Sequence, residues 1–300
     1  MALPRCARRI TVDLATGPLA ALEAVPAQAL GSRAPESSEP DGAAAPAVAV
    51  FVPGFTGSKE DFLPLLEPLA EAGLRVLAVD QRGQCDSPGL DDPAGYSLAG
   101  FAADLRAVLD FVAAGPSGGG SARDAAVHLV GHSFGGHVVR DMLLRGPVPD
   151  HLRTLTILDS GPAGAVGRAR ERVELFLQVS QELTLLEINQ VEPMDQHPDP
   201  EVGAFLLHRW LSNDPASLRA IGESLLAEPD RVDELRGLLQ STGLPCLLAA
   251  GEDEDVWPCA LQEEAAERLG ARFAAIPAAA HSPNTQNPDG LVKALLDFWL

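Results

Sequence analysis

Positive charge and cysteine are both scarce in this 300-residue sequence. It holds 22 Lys and Arg against 42 Asp and Glu, a formal net charge of −20 at pH 7, and its only lysines are Lys59 and Lys293. So acidic a chain repels phosphate backbones and anionic headgroups, which excludes nucleic-acid binding as a main function. The four cysteines, Cys6, Cys85, Cys246 and Cys259, are scattered and form no C-x-x-C or Cys/His ligand spacing. Neither a structural zinc site nor a disulfide framework is expected, and reduced thiols in a cytoplasmic protein are. Long apolar runs are missing as well. Pro or Gly interrupts each one well short of 18 residues, so no stable membrane insertion is expected. Arg5, Arg8 and Arg9 are followed by no apolar stretch of the kind a secretory signal needs.

What is present is an alternation of short apolar runs and amphipathic segments. Arg9–Leu14 and Leu19–Val25 flank the turn Thr16-Gly17-Pro18 and read as a hairpin. Ala47–Val52, Arg75–Val79, Ala126–Val130, Leu152–Leu158, Pro245–Ala250 and Arg272–Ile276 are continuous apolar runs, as strands buried on both faces require. Helical patterns over Asp61–Glu71, Leu98–Ala113, Phe134–Leu144, Ala260–Leu269 and Asp289–Leu300 separate them. The order predicts an α/β fold with a doubly wound, mostly parallel eight-stranded sheet. One interval breaks the rhythm: no strand returns between Leu158 and Pro245, and helices are expected near Ala169–Ile188, Pro200–Leu211, Ala216–Leu226 and Asp230–Leu239. The expected division is therefore a core of residues 1–160 and 240–300 with a helical cap over 161–239. Residues 27–46, rich in Pro, Ser, Gly and acids without periodicity, read as a mobile surface loop.

Two serines fit the pattern G-x-S-x-G, and their contexts differ. Ser117 lies in a Gly-rich stretch with no strand before it, whereas Ser133, in Gly131-His132-Ser133-Phe134-Gly135, follows one strand and opens a helix. That strand–turn–helix context is what a nucleophile elbow requires. Acyl transfer also needs two backbone N–H groups aimed at the developing oxyanion. Phe134, after the serine, would supply one, and Phe55, in Val52-Pro53-Gly54-Phe55-Thr56-Gly57, the other. His281, between the last strand and the last helix, is placed to reach a serine across the carboxyl ends of the strands. His132, His128 and His137 read as packing or pocket-lining groups, and His151, His197 and His208 as solvated or within the helical interval. An orienting acid is expected from the four consecutive carboxylates Glu252 to Asp255, of which only one should be buried. Asp159, ending the strand before the helical interval, is a more distant location that reads better as a turn acid.

These residues carry a resemblance. Phe51 to Lys59 resembles the oxyanion loop of α/β-hydrolase-fold proteins, and Asp80-Gln81-Arg82-Gly83-Gln84 the D-x-R-G segment after the next strand. Gly131–Gly136 is similar to the elbow, Gly251–Pro258 to the acid loop, and His281-Ser282-Pro283 to the histidine loop, so the likeness runs from about residue 9 to residue 300. It implies a helical lid inserted after the sixth strand. Two positions depart from the pattern: Pro53-Gly54 stands where the family has His-Gly, and Glu254 at the fourth position of G-x-x-D. The resemblance selects Glu254 as the acid, with Asp255 next and Asp253 third.

The activity so implied is hydrolysis of a carboxylic ester, or a related acyl bond, through an acyl-enzyme on Ser133, with His281 as base and no metal or organic cofactor. The partner expected is a small-molecule substrate with an apolar acyl or alcohol group, facing residues such as Val166, Leu175, Phe176, Val179, Phe205 and Trp210. The sequence sets no oligomeric state. Proline iminopeptidase-like, thioesterase, lactonase and C–C bond hydrolase chemistry use the same residues, and a weakly catalytic ligand-binding protein on this fold is the alternative of a different class.

Overall fold

The computed structural model describes residues 2–26, 46–115, 125–192 and 197–300. Residues 27–45 and Ser117 lie outside these, so the expectation of a mobile loop and the second G-x-S-x-G match are not described structurally. Eight strands form one sheet in the order β1-β2-β4-β3-β5-β6-β7-β8: β1 Ala7–Leu14, β2 Gly17–Ala24, β3 Val48–Val52, β4 Arg75–Val79, β5 Val127–His132, β6 Leu152–Leu158, β7 Cys246–Gly251 and β8 Arg272–Ile276. The β1/β2 and β2/β4 pairs are antiparallel and the other five parallel. The sequence expectation of a mostly parallel, doubly wound sheet is met, with every strand within two residues of its expected limits.

Period-two alternation divides the core in two. Val48, Val50 and Val52 of β3 face one side, with Leu77 and Val79 of β4. They pack on helices α2 (Leu98–Ala114), α3 (Phe134–Arg145), α8 (Val232–Thr242) and α9 (Cys259–Leu269). Ala49 and Phe51 face the other side, under Leu65, Leu66 and Leu69 of α1 (Leu63–Glu71) and Leu291 and Leu295 of α11 (Pro288–Trp299), which follows the short α10 (Pro283–Gln286). Each such fully buried Leu contributes about 1.5–3 kcal/mol by leaving water. The carboxyl ends of the parallel strands thus form a rigid rim from which the connecting loops project.

Between β6 and β7 lie α4 (Gly167–Val179), α5 (Leu185–Val191), α6 (Pro200–Ser212), α7 (Pro215–Ala227) and α8. The single helix expected over Ala169–Ile188 is two. Its apolar spacing runs on, but Thr184 caps a new helix: its Oγ1 accepts from the N–H of Glu187, whose carboxylate accepts from the N–H of Thr184 at 2.8 Å. This reciprocal T-x-x-E cap outweighs the periodicity. Asp199 and Asp214 cap α6 and α7 more simply, accepting from the N–H groups of Glu201 and Ala216, each ahead of a proline at the first helical position. Phe176, Leu185, Ile188, Trp210 and Leu218 form a third apolar cluster inside this insertion. No helix among the described residues is long and apolar enough to cross a membrane.

Candidate active site

Ser133 sits between β5 and α3 at φ 55°, ψ −119°, a conformation L residues rarely adopt. Two glycines make it attainable. A Cβ on Gly131 would lie 2.4 Å from the carbonyl oxygen of Gly135, and one on Gly135 would lie 2.4 Å from that of Val52. The turn is held by Ser133 N–H donating to Leu158 O at 2.9 Å and Gly136 N–H donating to Ser133 O at 2.8 Å. The seryl oxygen is thereby fixed at the N-terminus of α3, above the strand ends.

His281, in the loop after β8, brings Nε2 to 3.0 Å from Ser133 Oγ. Its Nδ1 lies 3.0 Å from Oε1 and 2.9 Å from Oε2 of Glu254, in the loop after β7. With Nδ1–H donating to the carboxylate, Nε2 is left as an acceptor for the seryl proton. The Glu254 side chain is 0% exposed against 27% for His281. Val256 N–H and Trp257 N–H donate to Glu254 Oε1 at 2.7 and 3.0 Å. Burial alone would raise the Glu254 carboxyl, but the hydrogen bond and charge of His281 and these two N–H groups hold it below its ordinary value. Of the neighbouring acids, Asp253 and Asp255 are exposed. Asp159, fully buried at the end of β6, accepts from Gly251 N–H at 2.9 Å. So the structure brings together Ser133, His281 and Glu254, and leaves Asp253 and Asp255 in solvent.

The loop after β3 lies against the serine: a Cβ on Gly54 would come within 2.9 Å of Ser133 Cβ. Among the described residues, no acceptor engages the N–H of Phe55 or of Phe134. Two side chains that sequence reasoning passed over fix this loop. Gln84 Nε2 donates to Gly54 O at 2.7 Å and Phe55 O at 3.1 Å, and Gln81 Nε2 donates to Pro53 O at 3.0 Å. Both glutamines stand in the Asp80–Gln84 segment, so the segment was visible in the sequence and its partners were not. Lys59, buried beside it, donates to Asp80 at 2.6 Å and lies 3.1 Å from Glu60. The ligand-like trio Glu60, Asp80 and Cys85 therefore already has its cation in the Lys59 ammonium.

His132 Nε2–H donates to the carbonyl of His281 at 2.7 Å, steadying the histidine loop. Burial, with the charge of His281, lowers His132 to about 4, so it is neutral. Trp257 was also missed. Its buried ring lies 6.1 Å from that of His281, and its Nε1–H donates to Ala163 O and Gly164 O at 3.1 Å, joining the acid loop to the start of the insertion. His128 instead stacks on Trp299, 4.8 Å between ring centres, and His137 pairs with Arg140, 2.5 Å away. The Phe55 ring meets Phe176 of α4 edge-on at 5.4 Å, so apolar residues of the insertion lie directly over the Gly54–Phe55 turn.

Comparison with known proteins agrees with this architecture. Residues 49–294 match the model of the alpha/beta hydrolase family. A protein of Variovorax paradoxus (strain S110), whose name assigns it as carbamate hydrolase RutD, is 40% identical over 94 residues, which is 31% of this chain and 31% of that protein. Among solved structures, the enol-lactonase from Burkholderia xenovorans LB400 superposes with a TM-score of 0.70 at 18% identity, covering 96% of this chain and 99% of that one. An esterase from Exiguobacterium antarcticum gives a TM-score of 0.72 at 16% identity, over 97% and 99% of the two chains. At these identities the two structures speak for the fold alone.

Proposed function

The chain belongs to the alpha/beta hydrolase family, and on that footing we propose that it is a serine hydrolase acting on a carboxylic ester or related acyl bond. The observation that carries the reading is the run of hydrogen bonds from Ser133 Oγ through His281 to Glu254, at 3.0 and 2.9 Å. In this reading Ser133 Oγ attacks the carbonyl carbon as His281 Nε2 takes its proton. Glu254 holds Nδ1–H and stabilises the imidazolium that forms. The N–H groups of Phe55 and Phe134, with the N-terminus of α3, receive the oxyanion. Collapse returns the proton from Nε2 to the leaving alcohol and leaves an acyl group on Ser133. Water, deprotonated by the same nitrogen, then releases the acid. Every step uses side chains and N–H groups of this chain, and the reading invokes no cofactor.

Residues 161–239 would act as a cap, and Phe176 and Trp210 beside Phe55 favour an apolar acyl or alcohol group. The partial likeness to RutD adds carbamates to the compounds worth screening. A cytosolic setting suits the four unpaired cysteines. The test is labelling with a fluorophosphonate probe, followed by mapping of the modified peptide. Stoichiometric labelling at Ser133, lost in Ser133→Ala, is the expected result. A folded protein that takes no label would instead favour the ligand-binding alternative.

A further inference from the structure

Asp159 ends β6 with φ 43° and is fully buried beside the acid loop. Its Oδ1 accepts from Gly251 N–H at 2.9 Å, while Oδ2 is buried with no N–H or O–H of the protein reaching it. The Glu254 carboxyl is its neighbour there: Glu254 N–H donates at 3.2 Å to the carbonyl of the same Gly251 whose N–H Asp159 receives, and its side chain acts on Asp159 through its charge and as a hydrogen-bonding contact. Two ionised carboxylates cannot make that contact, because both only accept and their charges repel in a buried site. A proton must lie between them. Glu254 has the better claim to the charge, with Val256 N–H, Trp257 N–H and His281 Nδ1–H all donating to it. Asp159 receives one N–H. The charged neighbour acting on it is Glu254 from the acid loop, and Asp159 in turn opposes ionisation of the Cys259 thiol of α9. Burial first, and the Glu254 charge second, push the Asp159 carboxyl well above the usual carboxylate range.

We propose that Asp159 is a positioning residue: a protonated carboxylic acid whose O–H donates to Glu254 and fixes the carboxylate that orients His281. This rests on the reading of Ser133, His281 and Glu254 as a catalytic triad. It also accounts for a glutamate at this point of the loop. Glutamate has one more side-chain torsion than aspartate, and a donor on its far side removes that freedom.

The experiment compares Asp159→Ala and Asp159→Asn in ester turnover and in infrared absorption at pH 7. Alanine removes the donor, and kcat is expected to fall about 10- to 100-fold with KM little changed. Asparagine keeps one donor and one acceptor in the shape of the protonated acid, and is expected to restore kcat to within about threefold of wild type. The wild-type spectrum should carry the carbonyl stretch of a protonated buried carboxyl, shifted in D2O and missing from Asp159→Asn. A wild type without that band, or an asparagine variant as impaired as alanine, overturns the proposal, since Asp159 would then act as a carboxylate. Glu254→Gln separates the two readings. Unimpaired turnover there would remove the triad and with it the positioning role, even with the band in place. A dead Glu254→Gln with no band in the wild type would overturn the Asp159 proposal alone.

Discussion

Gln84 Nε2 donates to the carbonyl oxygen of Gly54 at 2.7 Å, and through that one contact it sets where the N–H of Phe55 points. The two groups share a trans peptide plane and face opposite ways, so anchoring the oxygen aims the N–H. The same amide reaches Phe55 O at 3.1 Å, which fixes the next plane as well. A side chain after β4 thus orients a loop after β3, some 30 positions earlier in the chain.

Gln84→Ala should therefore lower kcat on p-nitrophenyl acetate by about 10- to 100-fold, with KM little changed. Deleting an oxyanion donor outright costs about 10²–10³, and here the donor remains but loses its support. Gln84→Glu should be worse, because a carboxylate would face two carbonyl oxygens with nothing to donate. An effect confined to KM would place Gln84 outside this role.

The acid loop offers four carboxylates and buries one of them. Glu254→Gln should reduce kcat by about 10³- to 10⁴-fold, the scale seen when a triad acid becomes an amide and the histidine is held in the wrong tautomer. Asp253→Asn and Asp255→Asn alter exposed groups and should stay within about twofold of wild type. Steady-state kinetics on the three variants settles the ranking, and a reversed order would move the acid along the loop.

Much of this site was legible because its signals are local. Strand, turn and helix around Ser133 lie within 20 consecutive residues, and the strained turn demands glycine at Gly131 and Gly135. His281 could be found from its place between β8 and the last helices. What escaped depends on contacts distant in sequence. Gln84 meets Gly54, Trp257 meets Ala163, and Asp159 meets Glu254, and no periodicity encodes such meetings. Asp159 illustrates the difficulty. As a turn acid it looked ordinary, and only its burial against another carboxyl gives it a proton and a partner. The break in the expected helix at Ser180–Leu183 is the opposite case, since the Thr184-x-x-Glu187 cap was written in the sequence and apolar spacing masked it.

Three histidines are buried and neutral. Burial lowers His128 to about 4, burial and the His281 charge lower His132 to about 4, and burial with Arg140 takes His137 well below its ordinary value. In the unfolded chain each returns to about 6.5. The unfolded state then binds more protons, so stability contributed by these groups is full above pH 6.5 and is lost as pH falls towards 4. Three such protons give a slope of up to about 4 kcal/mol per pH unit, which Asp159, holding a proton in the fold that the unfolded chain lacks, opposes by up to about 1.4 kcal/mol per pH unit. Urea unfolding at pH 7, 6 and 5 should show stability falling steadily. A flat profile would mean that these imidazoles are protonated in the fold.

Ser133→Gly tests whether the elbow stores strain for function. A non-glycine residue at φ 55° costs about 1–3 kcal/mol, and glycine removes that cost. Glycine also enlarges the freedom of the unfolded chain, which offsets about 0.5–1 kcal/mol of the gain. The net expectation is a variant about 1 kcal/mol more stable than wild type with no measurable acylation, read by denaturant midpoint and fluorophosphonate labelling together. Ser133→Ala keeps the Cβ and the strain, so it should lose acylation without the gain in stability. The difference between the two variants isolates the backbone from the hydroxyl. Should Ser133→Gly prove no more stable than Ser133→Ala, the turn would be relaxed around its serine, and the glycines at Gly131 and Gly135 would be serving close packing alone.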